Sequence, residues 1–361
     1  YEGDLVRLET GEPDFDTPGF VVDAAAEAAH DGATHYTATA GIDPLREAIA
    51  AKIERDNGIG VGPEGVVATA GAVDALATTF LTVVDPGEEV VLPSPDWPNY
   101  EPAIRNAGGE PVRVPRSPAD GFALDVDGVV EAIGAETAAV LLCRPDNPTG
   151  RVFDESAVRE IARVAAAHDA YVIADEVYER LLYEGSRRSI VEIADDPSWV
   201  VSINSASKSY AMTGWRLGWL AAPHDVAEAA TTLKQGLSLH PSTLAQHGAL
   251  AAITGPQAEF EAMVEAYAER RDAVVDRIAG IPGVSCPRPE GAFYAFVDVS
   301  GLSGSSTDVA VRLLDEYGVS ATPGEAFGPA GEGHLRFSYA NSLERLETGL
   351  DRFERLVRDE R

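Results

Sequence analysis

Short apolar runs alternate along the chain with stretches in which apolar positions recur every three or four residues. The runs at 65–68, 89–92, 138–143, 170–174 and 199–203 are rich in Val, Ile, Leu and Ala, as strands buried on both faces are. Helical spacing predicts helices at 72–84 and 155–168, with a turn at Asp85-Pro86-Gly87 before the second strand. Helical patterns also cover 44–55 and the stretch around Lys234, and Lys52 is expected on an exposed face. Strands separated by helices of this length predict an α/β fold with a mostly parallel sheet covered on both faces. From about residue 257 the rhythm changes. A long helical pattern runs through 263–278, followed by a strand at 292–299, a helix at 308–317, a strand at 334–339 and a helix at 342–358. This predicts a smaller α+β unit beginning near residue 275.

Composition narrows the function classes. At 361 residues and 45% apolar, the chain has enough core for one large unit and one smaller one. No apolar run approaches the roughly 18 residues of a membrane span, and Tyr1-Glu2-Gly3-Asp4 opens no basic-then-apolar leader pattern. Two cysteines, Cys143 and Cys286, make neither a disulfide framework nor a metal site, and they fit a cytoplasmic setting. Cys143 ends an apolar run and reads as a buried small side chain. Fifty-nine acidic residues against 28 basic ones leave a net charge of −31, which repels nucleic acid and anionic lipid. Only Lys52, Lys208 and Lys234 are lysines, and the other basic residues are arginine. An acidic coat of this strength predicts a salt-loving source, where counterions screen its self-repulsion.

In parallel sheets ligands bind beyond the carboxyl ends of the strands. Four such ends carry unusual polar residues: Thr69-Ala70-Gly71-Ala72, Arg144-Pro145-Asp146-Asn147-Pro148-Thr149-Gly150, Asp175-Glu176-Val177-Tyr178, and Asn204-Ser205-Ala206-Ser207-Lys208-Ser209. Each has an ordinary reading taken singly: a turn at Asn147-Pro148, a helix cap at Asp175, a solvated lysine at Lys208, a weak phosphate signal at Gly71-Ala72. All four fall at the same edge of one predicted sheet, and that coincidence favours a shared site.

The same stretches carry a resemblance. Gly11-Glu12-Pro13-Asp14-Phe15, Asp146-Asn147-Pro148-Thr149-Gly150, Ala174-Asp175-Glu176-Val177-Tyr178, Ser205-Ala206-Ser207-Lys208-Ser209, Met212-Thr213-Gly214-Trp215-Arg216-Leu217-Gly218 and Arg336-Phe337-Ser338-Tyr339-Ala340 resemble, in order, the fold type I pyridoxal-phosphate aminotransferases of the class I/II group. The resemblance implies a large domain over residues 17–275 with a seven-stranded sheet, and a small domain made of 1–16 and 276–361. It implies that Lys208 holds the cofactor aldehyde as a Schiff base and moves the substrate proton, and that Asp175 keeps the ring nitrogen protonated. Tyr178 and Asn147 match donors to the ring oxygen, and Trp97 matches the aromatic residue stacked on the ring. Gly71, Ala72, Ser205, Ser207 and Arg216 match the phosphate cradle. Tyr36 resembles a tyrosine that reaches the phosphate of a partner subunit, which implies a homodimer. Arg336, with the Gly11 backbone beside it and Trp97 and Asn147 lining the same space, matches the fork that grips a substrate α-carboxylate.

The implied reaction moves an amino group between an L-amino acid and a 2-oxo acid in two half-reactions. A β-elimination or carbon–sulfur lyase on the same scaffold is the alternative, because its cofactor residues are the same. A pyridoxal-sensing DNA-binding regulator is disfavoured by the acidic surface and the absence of a DNA-binding pattern. One departure stands out. Many aspartate-specific members resemble Gly-Gly-Lys at the phosphate turn, where the lysine reads a side-chain carboxylate. Here the turn is Ala70-Gly71-Ala72-Val73, and Val73 cannot pair with a carboxylate, which counts against aspartate specificity unless an arginine from elsewhere substitutes. His240, in the segment 237–243, is also unusual for the family, and a structural role is expected of it.

Overall fold

The computed structural model describes residues 3–360. Its strands in chain order are β1 (Val6–Arg7), β2 (Val66–Thr69), β3 (Glu89–Ser94), β4 (Glu110–Pro115), β5 (Thr137–Cys143), β6 (Tyr171–Asp175), β7 (Val200–Ser205), β8 (Gly218–Ala221), β9 (Tyr294–Asp298), β10 (Val319–Ser320), β11 (Thr322–Pro323) and β12 (His334–Ser338). Seven of them form one sheet in the order β2-β8-β7-β6-β5-β3-β4. Pairing is parallel from β7 to β4, while β8 runs antiparallel to both of its neighbours.

Alternation along these strands sends side chains to opposite faces. Val90, Leu92, Ala139, Leu141, Ile173, Val201 and Ile203 enter one apolar cluster together with Ala75, Leu76 and Phe80 of the helix Ala72–Val83. Val91, Val140, Leu142, Val172, Ala174 and Val200 enter another, covered by Val158, Ile161, Ala162 and Ala165 of the helix Glu155–Ala167. Both faces are apolar, which is why the strands read as continuous apolar runs. Among the described residues no helix is long and apolar enough to cross a membrane.

A second sheet, β11-β12-β9, is antiparallel and packs with the helices Ala258–Ala279, Ser306–Tyr317 and Leu343–Asp359. Its apolar residues belong to the same cluster as the first face of the large sheet, joined through Tyr178, Phe293 and Tyr267. β1 pairs in parallel with β10, so the N-terminal strand is tied to the C-terminal part of the chain.

Three differences from the sequence reading have physical causes. β4 holds two prolines and was not expected, but it lies at the sheet edge, where a missing N–H donor is tolerated. β8 has four residues, too few for a period to register. Lys52 is not exposed: it is fully buried in the helix Asp43–Asn57, with Nζ 2.5 Å from Glu179 Oε1.

Candidate active site

The carboxyl ends of β2, β3, β5, β6 and β7 meet over one pocket of about 540 Å³. It is lined by Gly11, Trp97, Asn147, Asp175, Tyr178, Ser205, Ser207, Lys208, Arg216 and Arg336, together with Ala72 and Val73 of the helix that follows β2. Gly71 caps that helix just behind the lining. Tyr36 is elsewhere: its side chain is 85% exposed, with its ring edge-on to His240 outside this chain's own pocket. His240 accepts the Thr37 backbone N–H through Nε2 at 3.3 Å, so it supports the Tyr36 loop.

Asp175 ends β6 on the pocket floor and is almost fully buried. Its Oδ2 accepts the Tyr100 hydroxyl at 2.7 Å and its Oδ1 the Val177 N–H at 3.3 Å. Burial pushes its pKa up to about 6; the two hydrogen bonds and Lys208 oppose the rise, and nearby Asp146 adds to it. Tyr100 was not expected from sequence. An aromatic residue in the short helix Tyr100–Asn106 reads as core, which it is except for its hydroxyl. Burial first, and then Asp175, hold that hydroxyl well above the usual tyrosine range.

Lys208 lies in the short helix Ala206–Ser209 directly after β7. Its ammonium donates to the Gly11 carbonyl and sits 5.8 Å from the Phe293 ring centroid. Burial lowers its pKa to about 8; Arg336 and Arg216 lower it further, against Glu12 and Asp175. Glu12, on the pocket wall, accepts the Thr213 hydroxyl at 3.1 Å.

Arg336 comes from the middle of β12 and reaches the pocket from the opposite side. It donates to Asn147 Oδ1 at 3.0 Å and to the Glu9 carbonyl at 2.9 Å, and its guanidinium lies 4.2 Å from the Tyr294 ring centroid. Tyr294 also shares a 2.9 Å hydrogen bond with the Tyr178 hydroxyl. Tyr294 thus links two expected site residues, and only its strand, not its role, was legible beforehand. Burial and Tyr294 hold Tyr178 well above its usual pKa.

At the turn between β2 and the helix Ala72–Val83, Gly71 has φ 92°. That backbone conformation favours glycine, and a Cβ on Gly218 would come within 2.8 Å of the Ala72 nitrogen, so both positions call for glycine. Arg216 donates to the carbonyls of Thr213 and Ala70. Ser205 Oγ donates to the Leu217 carbonyl and accepts from the Ser207 N–H. The first-turn N–H groups of the helix Ala72–Val83 have no partner within the helix, which makes its N-terminus a ready anion site. Asp74, an anion in that same turn, is held by fully buried Lys234 at 2.7 Å.

Comparison with known proteins decides the family. Residues 3–353 match the family model for aminotransferase class I and II. The chain belongs to the class I and II aminotransferases. The Thermus thermophilus aspartate/prephenate aminotransferase is 42% identical over 357 residues, covering 98% of this chain and 91% of that relative. The solved structure of the Thermus thermophilus aspartate aminotransferase with maleate superposes with a TM-score of 0.94 at 42% identity, over 98% of this chain and 92% of that one. The aromatic aminotransferase structure from Pyrococcus horikoshii superposes with a TM-score of 0.95 at 37% identity, over 99% of this chain and 96% of that one. These relationships identify a pyridoxal 5′-phosphate-dependent aminotransferase and do not support the elimination chemistry that the sequence left open. The pocket fits that cofactor. An amine and a buried carboxylate without a salt-bridge partner line one space, beside a glycine-dependent anion cradle.

Proposed function

We propose that Lys208 holds the cofactor's aldehyde carbon and carries the substrate proton, with Asp175, Tyr178, Asn147 and Trp97 around the ring and Arg336 on the substrate α-carboxylate. The observation that carries this reading is the single pocket shared by Lys208, Asp175 and Arg336. Gly71, Ala72, Ser205, Ser207 and Arg216 would hold the phosphate through backbone N–H groups, hydroxyls and a guanidinium. When bound, the cofactor supplies an electron sink for the pair left as the substrate's α-proton departs.

Lys208 Nζ takes that proton and returns it on the other side of the transfer. Its pKa of about 8 gives a usable neutral fraction near neutral pH, which an ordinary lysine lacks. Asp175, with a pKa of about 6, is an anion at neutral pH and would hold a proton on the ring nitrogen. The Tyr178 hydroxyl and the Asn147 amide would donate to the ring oxygen. Arg336 offers two parallel N–H donors to a carboxylate, on a bed of the Tyr294 and Phe327 rings, and Gly11 closes the same end. Steady-state assays with a panel of amino donors against 2-oxoglutarate, pyruvate and oxaloacetate in high salt test the reading. A Lys208→Ala variant that still turns over would sink it.

Val73 supports a preference for apolar or aromatic donors over aspartate, because it stands at the pocket wall without a charge. A strong preference for aspartate in the same panel would overturn that. Exposed Tyr36 supports a homodimer in which it completes the partner's phosphate cradle; sedimentation as a monomer at full activity would count against it. The pairing of β1 with β10 supports a small domain made of 1–16 and 276–361, beside a large domain of 17–275. Two unpaired cysteines support a cytoplasmic enzyme. The acidic composition supports a salt-loving source, and all three lysines lie away from full exposure. Equal melting temperatures in dilute buffer and molar salt would refute that adaptation.

A further inference from the structure

Arg116 follows β4, the edge strand, and belongs to none of the strand ends assigned to the cofactor. Its side chain is nevertheless fully buried and runs inward beneath them. Nη2 donates to Asp146 Oδ2 at 3.0 Å and to the Pro95 carbonyl. Nη1 donates to the Phe122 carbonyl at 3.1 Å, and the guanidinium lies 5.1 Å from the Phe153 ring centroid. Pro95 belongs to the loop that carries Trp97, and Asp146 to the loop that carries Asn147. The same Asp146 oxygen accepts the Thr149 hydroxyl. Asn147 in turn accepts from Arg336. One arginine therefore ties together two loops of the pocket from below.

We propose that Arg116 is a positioning residue for the cofactor site. It fixes the Trp97 and Asn147 loops relative to one another, and it supplies the countercharge that allows the Asp146 carboxylate to lie near Asp175. The proposal rests on the assignment of Asp175 to the cofactor's ring nitrogen.

The electrostatic half follows from what surrounds Asp175. The titratable groups acting on it are Tyr100 from the helix after β3, Cys143 at the end of β5, Asp146 in the loop beyond, and Lys208 after β7. Tyr100 and Cys143 are held well above their usual pKa values, chiefly by burial, and stay neutral. Asp146, paired with Arg116, is the group of this set that opposes ionisation of Asp175. A buried carboxylate left without its cation is strongly unfavourable. Arg116 offsets the Asp146 charge before it reaches Asp175.

The test is the affinity of apoprotein for pyridoxal 5′-phosphate as a function of pH, read by quenching of tryptophan fluorescence. The variants are Arg116→Met, Asp146→Asn and the double variant. Binding is lost on acidification as Asp175 takes up a proton. The cofactor phosphate titrates identically in all samples, so it cancels in the comparison. Arg116→Met should move the acid midpoint up by about one pH unit, and the double variant should return it to near the wild-type value. Both variants lacking the arginine should also lose about tenfold in affinity on the alkaline plateau, a free-energy change of about 1.4 kcal/mol, because the Pro95 and Phe122 tethers go with it. Asp146→Asn should keep the plateau and lower the midpoint. An unmoved midpoint in Arg116→Met, or a double variant as displaced as the single one, overturns the proposal. If Arg116→Met does not fold, Asp146→Asn decides: an unchanged or raised midpoint overturns it. Asp175→Asn separates the two levels. An unchanged pH profile in that variant removes the ring-nitrogen assignment itself, whereas loss of the acid limb there with none of the Arg116 effects removes only this proposal.

Discussion

Lys208 and Lys52 are both withdrawn from solvent, and they titrate in opposite directions. Lys52 is the more deeply buried, yet its pKa is raised: burial pulls it down, and Glu179, Tyr210 and Asp56 more than offset that. Among the described residues Lys208 has no carboxylate in direct contact. Its nearest partner is the neutral Gly11 carbonyl, two arginines act against it, and its pKa falls to about 8. Burial alone therefore does not make a reactive lysine. What differs is whether a carboxylate lies within contact distance of the ammonium. Lys52 is a structural cation held by Glu179 and Asp56, and Lys208 is an amine kept short of partners.

The comparison can be broken at either end. Lys208→Ala should lower turnover by at least ~10³-fold, since it removes the side chain proposed to carry the proton and to hold the cofactor. Steady-state rates, together with loss of the cofactor's covalent labelling on borohydride reduction, check it. Lys52→Met should leave cofactor affinity of the folded enzyme unchanged while lowering stability by about 3 kcal/mol, because Glu179 is left buried without its cation. Urea unfolding measures this, and Lys52→Met combined with Glu179→Gln should recover most of the loss. A Lys52→Met enzyme that is stable but inactive would collapse the distinction between the two lysines. Arg336→Lys should reduce kcat/KM by about 100-fold, because an ammonium cannot reproduce a two-pronged grip on a carboxylate. The smallest effect concerns the tuning itself. Condensation of apoprotein with pyridoxal requires the neutral amine, so its rate should rise with pH through about 8 rather than near 10.5. Glu12 stabilises the charged form of Lys208, so Glu12→Gln should shift that profile to lower pH.

Much of the site was legible because it sits where chain-local signals are strongest. Asp175, Asn147 and Lys208 each follow an apolar run, and each run proved to be a strand of the large sheet. The supporting residues were not legible, for a common reason. Tyr100, Tyr294 and Arg116 act through polar atoms at the end of a side chain that otherwise packs as core, and Asp175, Tyr178 and Asp146, which they meet, lie 75, 116 and 30 residues away in sequence. Lys52 was misread in the same way. Its helix is polar enough to suggest a solvated face, and the Glu179 that buries it belongs to the segment after β6. The antiparallel β8 escaped because no long helix separates it from β7: Arg216, with a φ of 55°, turns the chain back just before it, and only four of its residues pair.

The pairing of β1 with β10 has a bearing on how the enzyme comes into being. The Val6 N–H is bonded to the Gly318 carbonyl, and the Leu8 N–H to the Ser320 carbonyl. These contacts hold the segment whose Glu9 carbonyl meets Arg336 and whose Gly11 carbonyl meets Lys208. During synthesis, residues 6–11 must wait for nearly the whole polypeptide to leave the ribosome before their permanent neighbours exist. A truncated or stalled chain can then build the parallel sheet with Lys208 at its edge and still lack one wall of the pocket. Loops closed across so many residues form late and slowly. Acquisition of activity should therefore lag behind acquisition of secondary structure when the chain refolds, with the N-terminal segment docking among the last events.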